Sequence, residues 1–177
     1  MEKDIKALVS AQRDFYAGGT TRDIDFRRTA LKKLYSAIQT WEPKIEEALE
    51  TDLHKSREEG YITETGLVLA EISDHLKHLR RWAKTERRAT PLTLFPSASR
   101  IVKEPLGSAL IIAPWNYPVQ LLLNPLVGAI SAGCTAMLKP SPYVPNVSGV
   151  IEEMIIQTFD PRHVAIVQGN REVNTIL

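Results

Sequence analysis

LGSALIIAPWNYPVQLLLNPLVGAISAGCTAMLKPS, residues Leu106 to Ser141, decides the fold, because no charged side chain occurs between Pro105 and Leu138. Leu106 to Ala113 is an apolar run of strand length, and strands covered on both faces lose their charges in this way. Trp115-Asn116-Tyr117-Pro118 reads as a turn into a helix that lasts to about Ser131, with Gly133 as its stop. Thr135 to Lys139 is a second strand. Outward from there, Pro145 to Phe159 is a helix whose apolar side carries Val147, Val150, Ile151, Met154 and Ile155. His163 to Gln168 is a third strand, and Gly169-Asn170 opens a helix toward Leu177. Alternating strands and helices predict an α/β fold with a parallel sheet and right-handed crossovers.

A membrane reading of the uncharged stretch has to be weighed. A spanning helix needs roughly 20 predominantly apolar residues, whereas this stretch is interrupted by Pro114, Asn116, Pro118, Gln120, Asn124 and Pro125. Buried strand followed by buried helix is the better account. The chain as a whole has 177 residues, 44% of them hydrophobic and 24% charged, with 22 Lys+Arg against 21 Asp+Glu. Those values exclude disorder and a collagen-like repeat, and near-neutrality gives no global steering toward nucleic acid or an anionic membrane. A single cysteine forms no internal disulfide. The start, Met1-Glu-Lys-Asp-Ile-Lys6, alternates charge where a signal peptide needs an apolar run, so the expected location is cytoplasmic.

Residues 1–104 hold 36 of the 43 charged side chains, a shift that marks a boundary near Glu104-Pro105. This first part reads as helices. Ile5, Leu8, Val9, Gln12 and Phe15 share one face, and Gly18-Gly19 ends their helix. A second helix is expected from Thr21–Asp25 to about Trp41, and a third starts with Pro43 in the first turn. A longer helix is expected from about Glu58 to Arg87, on Tyr61, Thr65, Val68, Ile72, Leu76, Leu79 and Ala83. After the break at Thr90-Pro91 to Pro96, Ser99 to Glu104 reads as a short strand. His75 and His78, beside Glu71 and Asp74, lack the spacing and the Cys ligands of a zinc site and are read as a solvated face with local charge pairs, so no metal is expected. The cluster Lys77, Arg80, Arg81, Lys84, Arg87 and Arg88 is the only local basis for a nucleic-acid partner, and the acidic residues before it cancel its field.

A parallel sheet binds ligands at the carboxyl ends of its strands. Here those ends are Ala113 to Asn116, Lys139 to Pro142 and Gln168 to Asn170, each rich in polar or turn-forming residues. The G-x-G-x-x-G fingerprint, the Walker phosphate loop and the G-x-S-x-G elbow are all absent from the sequence. Generic rules therefore stop at a nucleotide-binding α/β fold.

The particular residues go further. Ile112-Ala-Pro-Trp-Asn-Tyr-Pro118, followed by Leu126-Val-Gly-Ala-Ile-Ser-Ala-Gly-Cys-Thr-Ala-Met-Leu-Lys-Pro-Ser141, resembles the N-terminal half of an aldehyde dehydrogenase. The helical lead-in and Arg100-Ile-Val-Lys-Glu-Pro-Leu-Gly107 are most similar to the class 3, fatty-aldehyde branch of that superfamily. The resemblance covers essentially the whole chain. It implies N-terminal helices (1–89), a linker with a short strand (90–105) and an incomplete Rossmann-like NAD(P)-binding domain (106–177), a truncated form of the family fold.

By the same resemblance, a cysteine thiolate attacks the aldehyde, the tetrahedral alkoxide delivers hydride to NAD or NADP, and water activated by a glutamate hydrolyses the thioester. Asn116 would donate its amide to the alkoxide as half of an oxyanion hole, and Pro114 and Pro118 would hold it rigid. From the residue alone, without the neighbouring motif, an Asx turn or a helix cap is the favoured reading of Asn116. Lys139 would hydrogen-bond the adenosine ribose, with Ser141 beside the same edge. Ile112, Ala113, Pro114, Trp115 and Gly169 would line the cofactor cleft, although a packed Trp115 or a solvated strand-end Lys139 fits the sequence equally well.

Two departures stand out. The common family pattern places Glu three residues after the strand-end lysine, and this chain has Pro142. A carboxylate there accepts from both ribose hydroxyls and repels a 2′-phosphate, so NADP is expected to be tolerated. The G-S-T-type turn, the glutamate base and the nucleophilic cysteine, all downstream in the family, are absent from these 177 residues. Cys134 lies at the amino end of its strand and reads as a buried structural thiol, and His163 also sits at the wrong edge. The chain alone is therefore expected to be inactive, with an aldehyde as the small-molecule substrate of the whole enzyme and a homodimer or higher association covering its open sheet edge. A non-catalytic binding or regulatory fragment and a basic helical nucleic-acid module remain the alternatives.

Overall fold

The computed structural model describes residues 2–177. Helix α1 spans Glu2–Ala17 and α2 spans Ile24–Leu53. A single turn, α3 (Arg57–Gly60), passes through a π turn at Tyr61–Thr65 into α4 (Gly66–Trp82). Strands β1 (Glu86–Arg88) and β2 (Ser99–Ile101) form an antiparallel pair. Then β3 (Ser108–Ile112), α5 (Gln120–Ala132), β4 (Thr135–Lys139), α6 (Pro145–Thr158), β5 (Val164–Ile166) and α7 (Arg171–Ile176) alternate. The three strands form a parallel sheet in the order β3-β4-β5, with Ser108 opposite Thr135 and Ala136 opposite Val164. All five residues of β4 are buried, Lys139 at its carboxyl end included, whereas in β3 Ile111 alone is buried, so the first strand is not covered on both faces as its apolar sequence suggests.

One hydrophobic core joins the helical lead-in to the sheet layer. It contains Leu31, Leu34, Ile38 and Leu49 from α2, Val68 and Ile72 from α4, Leu122, Leu123, Leu126, Val127 and Ile130 from α5, and Leu138 from β4. Helix α2 packs on α6 and α4 on α5, while α1 lies against β3 and β4. Gln12, which shares the apolar face of α1, is fully buried and donates its Nε2 to the carbonyl of Ala136 at 2.8 Å and of Pro161 at 3.2 Å. Buried amides must find such partners, and this one fastens the first helix to the central strand.

The predicted break at Trp41–Pro43 is absent: α2 runs unbroken for 30 residues with Pro43 inside it. An interior proline costs about 3 kcal/mol, but Leu31, Leu34 and Ile38 before it and Ile45, Ala48 and Leu49 after it all bury in the same core. Continuity keeps both sets on one stripe. The long fourth helix is also shorter than expected. It ends at Trp82, one turn past its last buried residue, Leu79, because the basic residues that follow have nothing apolar to bury, and Glu86–Arg88 pairs as a strand instead. At its start Ser56 caps the single turn, its Oγ accepting from Glu59 N. Gly66 permits the π turn, since a Cβ there would lie 2.6 Å from the Tyr61 carbonyl oxygen. The second hairpin strand stops at Ile101, and α5 begins at Gln120, the Trp115–Val119 segment being bent rather than helical.

His75 is less solvated than the sequence suggests. Its ring meets Ser131 Oγ on α5 and Glu71 on its own helix, and both His75 and His78 pack on Trp82. In the basic cluster Arg80 pairs with Asp25 at 2.5 Å and Arg88 with Glu86 at 2.6 Å. Leu92, Phe95 and Leu106 are exposed in and after the hairpin. Among the described residues no helix is long and apolar enough to cross a membrane.

Candidate active site

The carboxyl ends of the three strands are tied to one another. Ala113 N donates to the Lys139 carbonyl at 3.1 Å, and Val167 N donates to the Leu138 carbonyl at 2.9 Å. A second link runs through side chains: Ser148 Oγ donates to the Ser141 carbonyl at 2.7 Å, and Gln168 Nε2 donates to the Ser148 carbonyl at 2.9 Å. The edge predicted from strand ends is thus one connected rim, onto which Ile112, Ala113, Lys139, Ser141 and Gly169 all fall.

Lys139 is not a solvated strand-end lysine. It is 1% exposed, and its Nζ donates to the carbonyl of Pro140 at 2.6 Å. No carboxylate pairs with it among the described residues, and burial lowers its pKa from the usual lysine value. Ser141 is buried, its Oγ accepting from Tyr143 N at 3.3 Å. Gly169 has φ +149°, and a Cβ there would meet Val173 Cγ2 at 2.3 Å, so only glycine fits where the chain turns from β5 into α7. Trp115 is 55% exposed, and Ile112 and Pro114 are also exposed, whereas Ala113 is buried.

Asn116 is exposed on the bent segment between β3 and α5, and its peptide is held from beneath. Lys55 Nζ donates to the Asn116 carbonyl at 3.1 Å and to Glu64 Oε1 at 2.6 Å, and lies 4.2 Å from the centre of the Tyr117 ring. The other oxygen, Glu64 Oε2, accepts from Val119 N at 3.0 Å and Gln120 N at 2.8 Å, two amides that α5 cannot satisfy itself. Sequence reasoning missed both residues. Lys55 follows a left-handed turn at His54, and Glu64 sits in the π turn, so neither occupies a recognisable motif. A glutamate between Tyr61, Thr65 and Val68 on an apolar stripe was the only signal. Similarly, Asp52 at the end of α2 accepts from Val147 N and Asn146 Nδ2 at the start of α6.

Cys134 is buried at the amino end of β4, and His163 is buried just before β5, both away from this rim.

A sequence model of the Aldehyde dehydrogenase family matches residues 1–177. The chain belongs to the aldehyde dehydrogenase family. It is 49% identical over 158 residues to the 4,4'-diaponeurosporen-aldehyde dehydrogenase of Staphylococcus aureus, covering 89% of this chain and 34% of that protein. It is 41% identical over 162 residues to aldehyde dehydrogenase family 3 member H1 of Arabidopsis thaliana, covering 92% and 34%. The substrate-bound structure of Staphylococcus aureus AldH superposes with a TM-score of 0.94 at 46% identity, over 96% of this chain and 37% of that one. The chain therefore corresponds to the N-terminal portion of a class 3 aldehyde dehydrogenase, and spans about a third of the length of the curated relatives it matches.

Members of this family generally use NAD(P), and the donor set at the rim fits such a cofactor. A buried ammonium whose hydrogen-bond acceptor is the adjacent Pro140 carbonyl retains further N–H donors of the kind a ribose hydroxyl accepts from.

Proposed function

We propose that the chain supplies the cofactor edge and one oxyanion donor of an enzyme that converts an aldehyde, NAD(P)+ and water to a carboxylic acid, NAD(P)H and a proton. The observation that carries this reading is the anchoring of the Asn116 peptide at the strand-end rim, one bend away from the buried Lys139. Bound NAD(P)+ would accept the hydride. Asn116 would donate its Nδ2 amide to the substrate oxygen as charge develops there, a role that rewards a donor fixed before reaction. Lys139 would donate to the ribose hydroxyls, Ser141 would shape the same edge, and Ile112, Ala113, Pro114, Trp115 and Gly169 would line the cleft.

The nucleophile and the general base are proposed to come from outside these 177 residues, so the isolated chain is proposed to be inactive. We further propose a cytoplasmic protein, with an aldehyde as substrate, that self-associates as a homodimer or larger assembly and covers apolar residues such as Leu92, Phe95 and Leu106. The test is aldehyde-dependent reduction of NAD+ and NADP+ by the polypeptide as its native source produces it, beside the 177-residue chain. Turnover by the first and none by the second is the expected result. No turnover of any aliphatic or aromatic aldehyde by the native polypeptide would overturn the reading.

A further inference from the structure

We propose that the buried Lys55–Glu64 ion pair is the positioning device of the Asn116 loop. The proposal rests on the reading of Asn116 as an oxyanion donor. Lys55 and Glu64 side chains are 9% and 0% exposed, so the pair has given up its hydration at a cost of several kcal/mol per ion. Well-packed apolar side chains often hold a core at least as well. What they cannot do is grip a polar backbone segment at several points.

This pair does so from both sides. The ammonium uses one N–H on the Asn116 carbonyl, one on Glu64 Oε1, and faces the Tyr117 ring at 4.2 Å. The carboxylate spends its second oxygen on the amides of Val119 and Gln120. Every one of these contacts other than the ion pair itself falls on residues 116–120. Helix α5 has no side-chain cap of its own, so the Glu64 carboxylate supplies both the missing acceptor and the negative charge favoured at a helix N-terminus. Lys55 is delivered by the left-handed His54 turn that ends α2, and Glu64 by the π turn before α4. The position of Asn116 is therefore set by two elements distant in sequence and anchored in the core. Displacement of a reacting group by about 1 Å can cost on the order of 10²-fold in rate.

The experiment uses the full-length enzyme as its source produces it, with Glu64→Gln, Lys55→Met and Lys55→Arg made singly and Glu64→Gln also made on an Asn116→Ala background. Three readouts are taken: kcat and aldehyde KM, the NAD(P)+ dissociation constant by tryptophan fluorescence, and amide hydrogen exchange of residues 117–121. Glu64→Gln and Lys55→Met are expected to lower kcat at least about tenfold, to leave the NAD(P)+ dissociation constant within about twofold, and to speed exchange at Val119 and Gln120. Lys55→Arg, which keeps the charge, is expected to restore most of kcat. On the Asn116→Ala background, Glu64→Gln is expected to lower kcat no further, because the pair acts through Asn116. If Asn116→Ala lowers kcat while Glu64→Gln does not, or if the two losses multiply, the positioning role is wrong and the oxyanion reading survives. If Asn116→Ala leaves kcat unchanged, the oxyanion reading fails and the positioning role fails with it. Should Glu64→Gln not fold, Glu64→Asp keeps the charge but shortens its reach, and unchanged kcat in that variant overturns the proposal.

Discussion

The imidazole of His163 lies 5.0 Å, centroid to centroid, from the ring of Phe26. Phe15 and Phe159 stand 6.0 and 5.8 Å away, which completes an aromatic surround at the amino end of β5. Burial there pushes the His163 pKa down to about 4; Asp160 opposes the shift and Lys33 adds to it.

Acid should therefore unfold the protein partly through this residue. The folded state binds the proton more weakly than the unfolded chain, so stability is fully present above about pH 6.5 and is lost as pH falls toward 4, by about 3 kcal/mol at most. His163→Leu is expected to reduce the loss between pH 7 and pH 4.5 by about 2 kcal/mol, read from urea midpoints of the two proteins. Identical pH dependence in both would show that His163 is not buried as a neutral ring.

Replacing Lys139 tests the proposed cofactor contact apart from folding. A hydrogen bond from a charged group is worth about 1.5–3 kcal/mol, so Lys139→Met is expected to raise the NAD(P)+ dissociation constant about 10–150-fold. Its thermal midpoint should hold or rise, because the variant removes a buried ammonium that no carboxylate neutralises. Unchanged affinity in a fluorescence titration would remove Lys139 from the cofactor site.

Pro142 is exposed beside Lys139 and Ser141, so position 142 itself supplies no carboxylate, and the nearest one lining the same cavity is Glu172, at the start of α7. Wild-type enzyme is expected to use NADP+ with less than tenfold disadvantage in kcat/KM against NAD+. Pro142→Glu is expected to shift the ratio toward NAD+ by tenfold or more, about 1.4 kcal/mol. A wild-type preference for NAD+ beyond tenfold would contradict this view of the edge.

How far the sequence carried the fold depended on whether its signals were local. The charge-free run 105–138 announced β3, α5 and β4, and the strands fall within two residues of expectation; β4 is wholly buried and α5 largely so, whereas β3 is apolar without being covered on both faces, with Ile111 alone buried among its five residues. Pro43 and the end of α4 were misjudged because local propensity yields to a shared core: α2 continues through its proline while both halves bury, and α4 stops once Leu79 is the last buried residue. At the candidate site, motif and resemblance singled out Asn116 and Lys139. They could not reach Lys55 and Glu64, whose partners lie 61 and 55 residues away and whose neighbours in sequence give no pattern.

The most direct test of the account is kcat for aldehyde oxidation by the full-length enzyme carrying Asn116→Ala. Loss of one oxyanion donor predicts a fall of about 10²–10³ in kcat, with the NAD(P)+ dissociation constant within about twofold of wild type. A kcat within threefold of wild type would contradict the claim that this loop stabilises the reacting oxygen.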